Sequence, residues 1–500
     1  MRTQHRTHPG RARSRLLVAL LAGTAVLAAA CGGGSGGDGG GSAAGACPVD
    51  AVSKASGTTE VTLWHAYVGL TKKTLEKLAA QYNASQSKVK VNVEAQGTYE
   101  ELLKKYEDAL NDPSTLPDVI LTEDTTTQFM SDSGAIIPAQ ACIEADPDAK
   151  KIYDGILPAV TAAYTVKDQL LPGAFSVSTP VLYANKDLFA KAGLPTDTYP
   201  ATLAELRTTA EKIKAANIPG VAQPLVMKVD SWYIEHWLTG VKQTVVNNDN
   251  GRSALATKST YDNKYTTETF QWMKDMVDAG LLKAVPNSSQ IDDFLAAATQ
   301  SAAMLIQTST AITTVNGVIE GSLNAEDLGL SGDAGKAVSG FKIPNLNIGV
   351  GLLPGLKAAG EGQIGGSAWY LLDTGKDAEA SGAWQFLKWF NETPNQVTWT
   401  LEGSYLPVSE AAANDPTLKE NWATTRTGQW LSVAFKGIAD LDPKFPGPVI
   451  GPYKEFRAAN RAALETVTLS GKPVADAVKE ANTTFQAALD SYAKDVGAGG

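Results

Sequence analysis

The order of apolar and polar positions predicts alternating strands and helices once the chain has passed residue 58. Residues 88–94 alternate strictly between apolar and polar side chains, which is the period of a half-buried β-strand, and residues 60–64 form another short β-rich run. Between these runs, residues 75–82 place apolar side chains at helical spacing. Residues 119–121 are apolar throughout, which is typical of a buried parallel strand.

This order of strand, helix, strand, helix and strand predicts an α/β fold in which helices flank both faces of a parallel sheet. In such sheets, ligands bind beside the carboxyl ends of the strands. Those ends carry His65 and Tyr67 after the first strand, Tyr99 after the second, and Glu123 with Asp124 after the third. These side chains are therefore the first candidates for a binding site.

Two later segments have the extended character of crossovers between lobes. They are residues 170–186, where Pro180 drives Thr179 away from helical conformation, and residues 403–408. The alternation of helices and strands continues around them. We predict helices near 203–216, 267–279, 378–390 and 473–493, and strands at 303–306, 348–353 and 369–372.

Length and composition indicate a soluble protein of two or more domains. The chain has 500 residues, 43% hydrophobic and 19% charged, and a single hydrophobic core rarely serves so long a chain. The net charge of −10 argues against a nucleic-acid partner, which requires a basic surface. Four histidines and three cysteines offer little for a metal site or a catalytic triad, so we expect no metal, no cofactor and no catalytic residue.

Residues 1–30 are predicted to be a signal peptide. Arginines precede the apolar run Leu16–Ala30, which is too short to span a bilayer and fits a secretory signal. The residues that follow resemble a lipoprotein cleavage site, in which Cys31 is lipidated and residues 31–57, rich in Gly and Ser, form a tether. The alternative is an ordinary signal that is cut after Ala30. We expect the protein on the extracellular face of the cell membrane or in the periplasm.

Export would place the remaining cysteines in an oxidising compartment. With Cys31 lipidated, Cys47 and Cys142 form an even pair. We expect either a disulfide between them or two separate buried thiols.

Several segments together resemble the extracellular solute-binding proteins of bacterial ABC importers, in the oligosaccharide-binding class. The most specific are STPVLYANKDLFAKAGLP at Ser178–Pro195 and GSYLPVS at Gly403–Ser409. Within this class, the chain looks closest to the sn-glycerol-3-phosphate and glycerophosphodiester binders. The other matching segments follow the order of the family: Val61–Tyr67, Leu116–Asp124, Ser301–Ser309 and Ile364–Leu372.

The resemblance implies a two-lobe fold of the periplasmic-binding-protein type II, with a ligand cleft between the lobes that closes by a hinge. We place residues 58–173 and 361–404 in the N-terminal lobe, and residues 174–353 and 405–500 in the C-terminal lobe. It further implies that the chain passes a carbohydrate or glycerophosphodiester to an ABC permease with a cytoplasmic ATPase. We expect a lipid-anchored monomer without catalytic activity.

The resemblance also implies which residues of this chain contact the ligand. Trp232 resembles the aromatic wall of the pocket, since an indole packs well against the C–H faces of a sugar or a choline methyl group. Glycine is used where a backbone approaches the ligand closely. The other positions that match contacts of the glycerol-phosphate binders are Ser178, Ser309, Gly365, Gly366 and Tyr405.

Three further candidates rest on their positions near strand ends. The Glu123 carboxylate could accept two hydrogen bonds from a polyol, or it could support the start of a helix at Thr125–Thr127. The Tyr99 phenol could contact a sugar, or it could face solvent at a helix start. His65 is either a ligand contact or a structural histidine.

One departure from the family concerns the charge of the ligand. The glycerol-phosphate binders carry an arginine for the phosphate in a stretch that corresponds to residues 442–453, which contain none. Lys444 is the nearest cation, and Arg457 lies on the following helix. Without a bidentate guanidinium, phosphate recognition weakens. We therefore favour a neutral carbohydrate, or a loosely held phosphodiester, over glycerol-3-phosphate.

The alternatives are a secreted carbohydrate-active enzyme and a surface sensor or adhesin. The only Gly-x-Ser-x-Gly match, at residues 33–37, lies in the tether, where no strand–turn–helix context exists, and no HExxH sequence occurs. An adhesin would share the signal and tether but would not require crossovers between lobes.

Overall fold

The computed structural model describes residues 47–289, 291–329, 343 and 345–497; the predicted signal peptide, Cys31 and most of the tether lie outside them. In this part the chain forms two main sheets and one small hairpin, with helices around them. The strands are β1 Thr59–His65, β2 Val89–Ala95, β3 Val119–Glu123, β4 Ile136–Ile137, β5 Thr165–Val166, β6 Gln169–Leu170, β7 Ala174–Ser178, β8 Pro180–Asn185, β9 Gln223–Lys228, β10 Leu282–Val285, β11 Ala302–Thr308, β12 Ile348–Leu352 and β13 Gly365–Leu372.

The α-helices connect and cover these strands. Short 3₁₀ turns continue the chain after β3 and β11, at Asp124–Thr126 and Ser309–Ala311. The α-helical segments are Ala51–Lys54, Gly69–Ser85, Tyr99–Ala109, Thr127–Asp132, Ala139–Ala145, Pro147–Tyr153, Pro158–Tyr164, Lys186–Lys191, Leu203–Ala215, Ser231–Gly240, Asn247–Asn250, Lys264–Asp278, Asp292–Ala298, Ile312–Glu320, Asp377–Phe390, Thr393–Gly403, Glu410–Ala413, Pro416–Thr424, Arg426–Ala439, Tyr453–Ser470 and Val474–Asp495.

The first sheet has the strand order β2-β1-β3-β13-β4, with β7 paired to β13. The strands β2, β1 and β3 are parallel, as predicted, whereas β13 runs antiparallel to β3, β4 and β7. The sheet is therefore mixed rather than wholly parallel. The reason is that β13 returns from the second sheet and enters this one from the opposite direction.

The second sheet has the order β10-β9-β11-β8-β12. Its strands β10, β9 and β11 are parallel, and β8 and β12 extend it in antiparallel register. Buried apolar side chains form two large clusters: one surrounds the first sheet and continues onto one face of the second sheet, and the other covers the opposite face of the second sheet. The two sheets with their helices make up the two-lobe α/β architecture expected from the sequence.

The predicted crossover at residues 170–186 joins the two sheets directly. β7 ends at Ser178 in the first sheet, β8 begins at Pro180 in the second, and only Thr179 separates them. β7 starts at residue 174, where we expected the second lobe to begin, but its hydrogen bonds place it in the first sheet. The chain returns between β12 and β13, and in the GSYLPVS segment Leu406 still bridges to Val177.

The predicted strand at 369–372 is longer in the structure. It begins at Gly365, so the end of the glycine-rich segment belongs to the sheet. Gly366 has a φ of +118°, and a Cβ there would lie 2.0 Å from the carbonyl oxygen of Ser176. Glycine is thus needed because β7 passes too close for any side chain.

A disulfide joins Cys47 to Cys142, which are 95 residues apart and both buried. It attaches the first described residue to the helix Ala139–Ala145. Nearby, the Ser381 hydroxyl donates a hydrogen bond to the carbonyl oxygen of Val49 at 2.8 Å. Cys47 and Val49, which we predicted to belong to the tether, are therefore held to the folded protein by a covalent bond and by packing, so the last part of the predicted tether is folded.

We expect the double substitution Cys47→Ser/Cys142→Ser to lower the free energy of unfolding by about 2–4 kcal/mol, because the disulfide closes a long loop in the unfolded chain. Urea denaturation without reductant measures this difference. Dithiothreitol should lower the stability of the wild type by a similar amount and leave the double variant unchanged. A wild type whose stability is insensitive to reductant would contradict the prediction.

Candidate functional site

Several residues expected from the sequence meet at one edge of the first sheet. His65 ends β1 and Glu123 ends β3, and the antiparallel strand β13 begins at the same edge. In the register of β13, Ser367 lies opposite Glu123, and Gly365 lies opposite Ser178. This is the carboxyl edge of the parallel strands, where α/β sheets bind ligands.

Aromatic hydroxyl groups gather beside this edge. The hydroxyl groups of Tyr67 and Ser367 are 2.8 Å apart, and the ring of Tyr405 lies 5.6 Å from that of Tyr67 and stacks on Trp399 at 5.4 Å. Burial, together with the neighbouring Tyr405 and Tyr67, raises the pKa of the Tyr99 phenol well above its ordinary value. These phenols therefore stay protonated at neutral pH and can both donate and accept hydrogen bonds.

Trp232 reaches the same place from the second sheet. It lies near the start of the helix Ser231–Gly240, where the Asp230 carboxylate accepts a hydrogen bond from its backbone N–H at 3.0 Å. The indole is half-buried and lies so close to Gly365 that a Cβ there would be 2.7 Å from its Cζ2 atom. His236 packs edge-on against it at 5.1 Å. An indole held in this way can form one wall of a pocket.

Arg457, on the helix Tyr453–Ser470, links the two sides through two carboxylates. Its Nε and Nη2 atoms each donate to Glu235 at 2.9 Å, and its Nη1 atom donates to Glu123 at 2.7 Å. Glu235 also accepts hydrogen bonds from the hydroxyl groups of Ser231 at 2.7 Å and Tyr453 at 3.1 Å. The Glu235 side chain is 1% exposed, and that of Arg457 is 10% exposed. This ion cluster connects the end of β3 to helices of the second sheet.

Burial and charge shape the ionisation of this cluster. Burial raises the pKa of Glu123, while the guanidinium of Arg457 opposes the shift. Burial likewise raises the pKa of Asp124 well above its ordinary value. Burial disfavours the charged form of Arg457, but Glu235 and Glu123 outweigh it and raise the pKa of the guanidinium. Arg457 therefore stays cationic within a site that is rich in carboxyl groups.

A cleft of about 270 Å³ opens beside the Arg457–Glu123 bond. Tyr99 and Glu123 line it from the first sheet, and Arg457, Arg461 and Tyr453 line it from the opposite side. Trp232 and Gly365 touch one another nearby. The lining is thus composed of carboxylate, guanidinium, phenol and hydroxyl groups around a few apolar side chains.

The remaining candidates have defined structural partners. The Nδ1 atom of His65 accepts a hydrogen bond from the backbone N–H of Tyr67 at 3.1 Å, and burial, with Lys72 nearby, lowers the pKa of His65 to about 4. His65 is therefore neutral at pH 7. Ser309 is fully buried, and its hydroxyl accepts a hydrogen bond from the backbone N–H of Thr179 at 3.2 Å. Ser309 thus supports the crossover between the sheets.

Sequence reasoning missed Glu235 and Ser367 and underestimated Arg457. Glu235 lies three residues after Trp232 on one helix, a spacing that places both side chains on the same face. That spacing was the available signal for Glu235. Arg457 does reach the cleft, although it lies outside residues 442–453, because the first turn of its helix faces the end of β3.

Comparison with known proteins identifies the family. Residues 77–426 match the family described as bacterial extracellular solute-binding protein. The chain belongs to this family. The resemblance seen in the sequence is thereby confirmed.

Two curated relatives illustrate its position within the family. The sn-glycerol-3-phosphate-binding periplasmic protein UgpB of Rhizobium meliloti (strain 1021) is 27% identical over 366 residues, which cover 72% of this chain and 77% of the relative. UgpB of Yersinia pestis bv. Antiqua (strain Antiqua) is 26% identical over 453 residues, which cover 88% and 92%.

Solved structures share the fold of this solute-binding protein. The sugar-binding protein MalE from Xanthomonas citri superimposes with a TM-score of 0.68 at 16% identity, covering 87% of this chain and 98% of that one. UgpB from Mycobacterium tuberculosis, in complex with glycerophosphocholine, gives 0.64 at 18% identity, covering 87% and 99%. These likenesses confirm the predicted two-lobe α/β fold.

Two further properties concern only the residues that the structure describes. No helix there has the length and apolar character that a membrane crossing requires. No group of three or more histidine, cysteine, aspartate or glutamate side chains in those ranges is arranged to hold a metal ion.

The two adjacent glycines of β13 should respond differently to substitution. Gly366→Ala should lower the free energy of unfolding by more than about 2 kcal/mol, because the new Cβ would strike the Ser176 carbonyl at a positive φ. Gly365→Ala should instead displace the Trp232 indole and weaken ligand binding about tenfold. Urea denaturation and calorimetric titration separate the two effects, and equal loss of stability in both variants would contradict the prediction.

Arg457→Met should destabilise the protein by about 3–5 kcal/mol, because it leaves the Glu235 carboxylate buried without its counter-ion. The matched control is Arg461→Met, one turn further along the same helix and also on the cleft. We expect that variant to lose less than about 1 kcal/mol. Urea denaturation measures both, and equal losses would show that the ion cluster has no special structural role.

Proposed function

We propose that this protein captures a carbohydrate or a glycerol-phosphate-type polyol for an ABC importer and delivers it unchanged to the permease. The observation that carries the proposal is the meeting of hydrogen-bonding groups from two sides at one cleft. Glu123, at the end of β3, and Tyr99, at the start of the following helix, line one side, and Arg457 lines the other from the helix Tyr453–Ser470. Trp232 lies beside this cleft, against Gly365. The similarity to an sn-glycerol-3-phosphate-binding protein and to a sugar-binding protein supports this class of ligand.

The groups in the cleft suit a molecule with many hydroxyl groups. The Oε1 atom of Glu123 is bound to Arg457, while its Oε2 atom has only a long contact of 3.5 Å to the Thr125 hydroxyl and can accept from a ligand. The Tyr99 phenol can donate or accept. The indole of Trp232 can cover an apolar C–H face. We assign further contacts to Ser178, Gly365, Gly366, Tyr405 and Ser309, as the sequence resemblance implies, and to His65 from its position at the end of β1.

Binding at the indole requires the two sides of the cleft to separate. In the structure the edge of the Trp232 indole that carries Nε1 and Cζ2 lies against Gly365, and we expect the two to move apart when a ligand enters between them. The hinge lies in the segments that cross between the two sheets. The shortest of these segments is the single residue Thr179. Ligand entry would therefore follow opening, and capture would follow closure of the lobes.

The predicted N-terminus fits this role. We propose that residues 1–30 are removed, that Cys31 carries a lipid, and that the tether holds a monomer at the outer face of the membrane. The partners would be an ABC permease and its cytoplasmic ATPase. The protein itself would perform no catalysis.

A panel of neutral sugars, polyols and glycerophosphodiesters should contain one class that raises the melting temperature, because a ligand that binds only the folded state stabilises it by mass action. Trp232→Ala should weaken binding of that ligand about tenfold or more, through the loss of a stacking surface. The matched control is Trp422→Ala, which removes a half-buried indole that packs on Phe435. Calorimetric titration measures all three proteins.

Two outcomes would contradict the proposed function. The first is a panel in which no compound stabilises the protein. The second is chemical conversion of a bound compound, detected by mass spectrometry, which would point to a carbohydrate-active enzyme. Binding confined to an immobilised partner surface would favour a sensor or an adhesin.

A further inference from the structure

An anionic group of a ligand would be expected to bind the guanidinium of Arg457, but two carboxylates of the protein are already bound to it. Of its five N–H donors, one on Nε and one on Nη2 are bound to Glu235, and one on Nη1 is bound to Glu123. Two carboxylates thus compensate one positive charge. The cluster as a whole has a surplus of negative charge.

The two carboxylates differ in their relation to the cleft. Glu235 is almost fully buried and is saturated by Ser231, Tyr453 and Arg457. The Glu123 side chain is 38% exposed, lines the cleft and retains a weakly bonded oxygen. Glu123 therefore lies between the guanidinium and the space that a ligand would enter.

The rest of the cleft lining contains more carboxylates than cations, so it does not neutralise the negative charge of the cluster. The cations that line the cleft in the described ranges are Lys454, Arg457 and Arg461, against the carboxylates of Glu100, Glu107, Glu123, Glu455 and Asp495. Asp230 and Glu235 lie close enough for their charges to act on Glu123. A phosphate would meet more negative than positive charge here, and such repulsion is strong where water is partly excluded.

We propose that Glu123 takes the place of an anionic ligand group on Arg457 and thereby excludes phosphate-bearing solutes from the cleft. This inference rests on the proposed function and narrows the ligand to neutral, hydroxyl-rich molecules. A phosphate that accepts from a remaining N–H of Arg457 would lie next to the Glu123 carboxylate, which is held 2.7 Å from the guanidinium, and the two anions would repel each other. A neutral hydroxyl can instead donate to the free oxygen of Glu123 and accept from a remaining N–H of Arg457, so no existing bond has to break.

The chain is therefore expected to differ from relatives whose names record sn-glycerol-3-phosphate binding. This difference in the charge of the ligand depends on the Glu123 carboxylate and on the hydrogen bonds that already join Arg457 to Glu235. Glu123 is in this sense a specificity-determining residue for ligand charge. Glu123 can exclude anionic ligands in this way and still accept a hydrogen bond from a neutral ligand.

The test is calorimetric titration at low ionic strength with inorganic phosphate and with sn-glycerol-3-phosphate. The wild type should show no binding of either anion below millimolar concentration. Glu123→Gln removes the competing charge and keeps the shape of the side chain. It should bind sn-glycerol-3-phosphate at least about tenfold more tightly than the wild type, since one charge-assisted hydrogen bond accounts for a factor of this size.

The matched control is Glu107→Gln, which removes an exposed carboxylate from the same lining; the three hydrogen bonds of Arg457 go to Glu235 and Glu123, not to Glu107. It should gain less than about threefold, because a solvent-screened charge acts weakly. Circular dichroism melting confirms that each variant is folded. If a variant does not fold, the titration of the wild type still tests whether the protein binds these anions.

Three results would overturn the proposal: micromolar binding of sn-glycerol-3-phosphate by the wild type, no gain in Glu123→Gln, or an equal gain in Glu107→Gln. These results are independent of the thermal-stability panel. Failure of every compound in that panel would count against the proposed function, whereas the anion titrations address only the role of Glu123.

Discussion

The bond network of Arg457 is the interaction on which the cleft depends. The guanidinium of Arg457 and the carboxylate of Glu235 are almost fully buried and Glu123 is partly exposed, so the first two ions lose most of the stabilisation that water would give them. That loss is offset only when the geometry is favourable and every partner is hydrogen-bonded, and the bidentate contact to Glu235 meets this condition. Since Glu123 ends a strand of the first sheet and Arg457 lies on a helix that packs with the second sheet, the network also links the two sides.

The positions of the other groups follow from that arrangement. Trp232 and Glu235 lie three residues apart on one helix, so the ion pair that holds Glu235 also holds the indole against Gly365. On the opposite side, β13 places Ser367 beside Glu123 and within hydrogen-bonding distance of Tyr67. Aromatic, hydroxyl and charged groups are thus positioned by rigid elements rather than by free loops.

Local patterns predicted most of the elements because those elements bury one face each. The alternation at 88–94 became β2, and the helical spacing at 75–82 lies within Gly69–Ser85. The parallel character of the sheets was predicted only in part, because β7, β8, β12 and β13 are crossover strands and their direction depends on which sheet the chain has just left. The extension of β13 to Gly365 could not be predicted from the sequence either. Glycine does not favour strands, and the residue with which Gly365 pairs lies almost two hundred positions away in the chain.

The amino-acid order was sufficient to indicate the α/β class, the crossover at Thr179, the family and the residues that end the parallel strands, because these depend on short-range periodicity and on motifs within a few residues. Which groups share the cleft was decided by tertiary structure. Glu123, Glu235 and Arg457 are widely separated in the chain, and their charges compensate one another only when the two sheets face each other. Electrostatic pairing depends on distance in space, and no sequence pattern encodes the distance between side chains on different lobes.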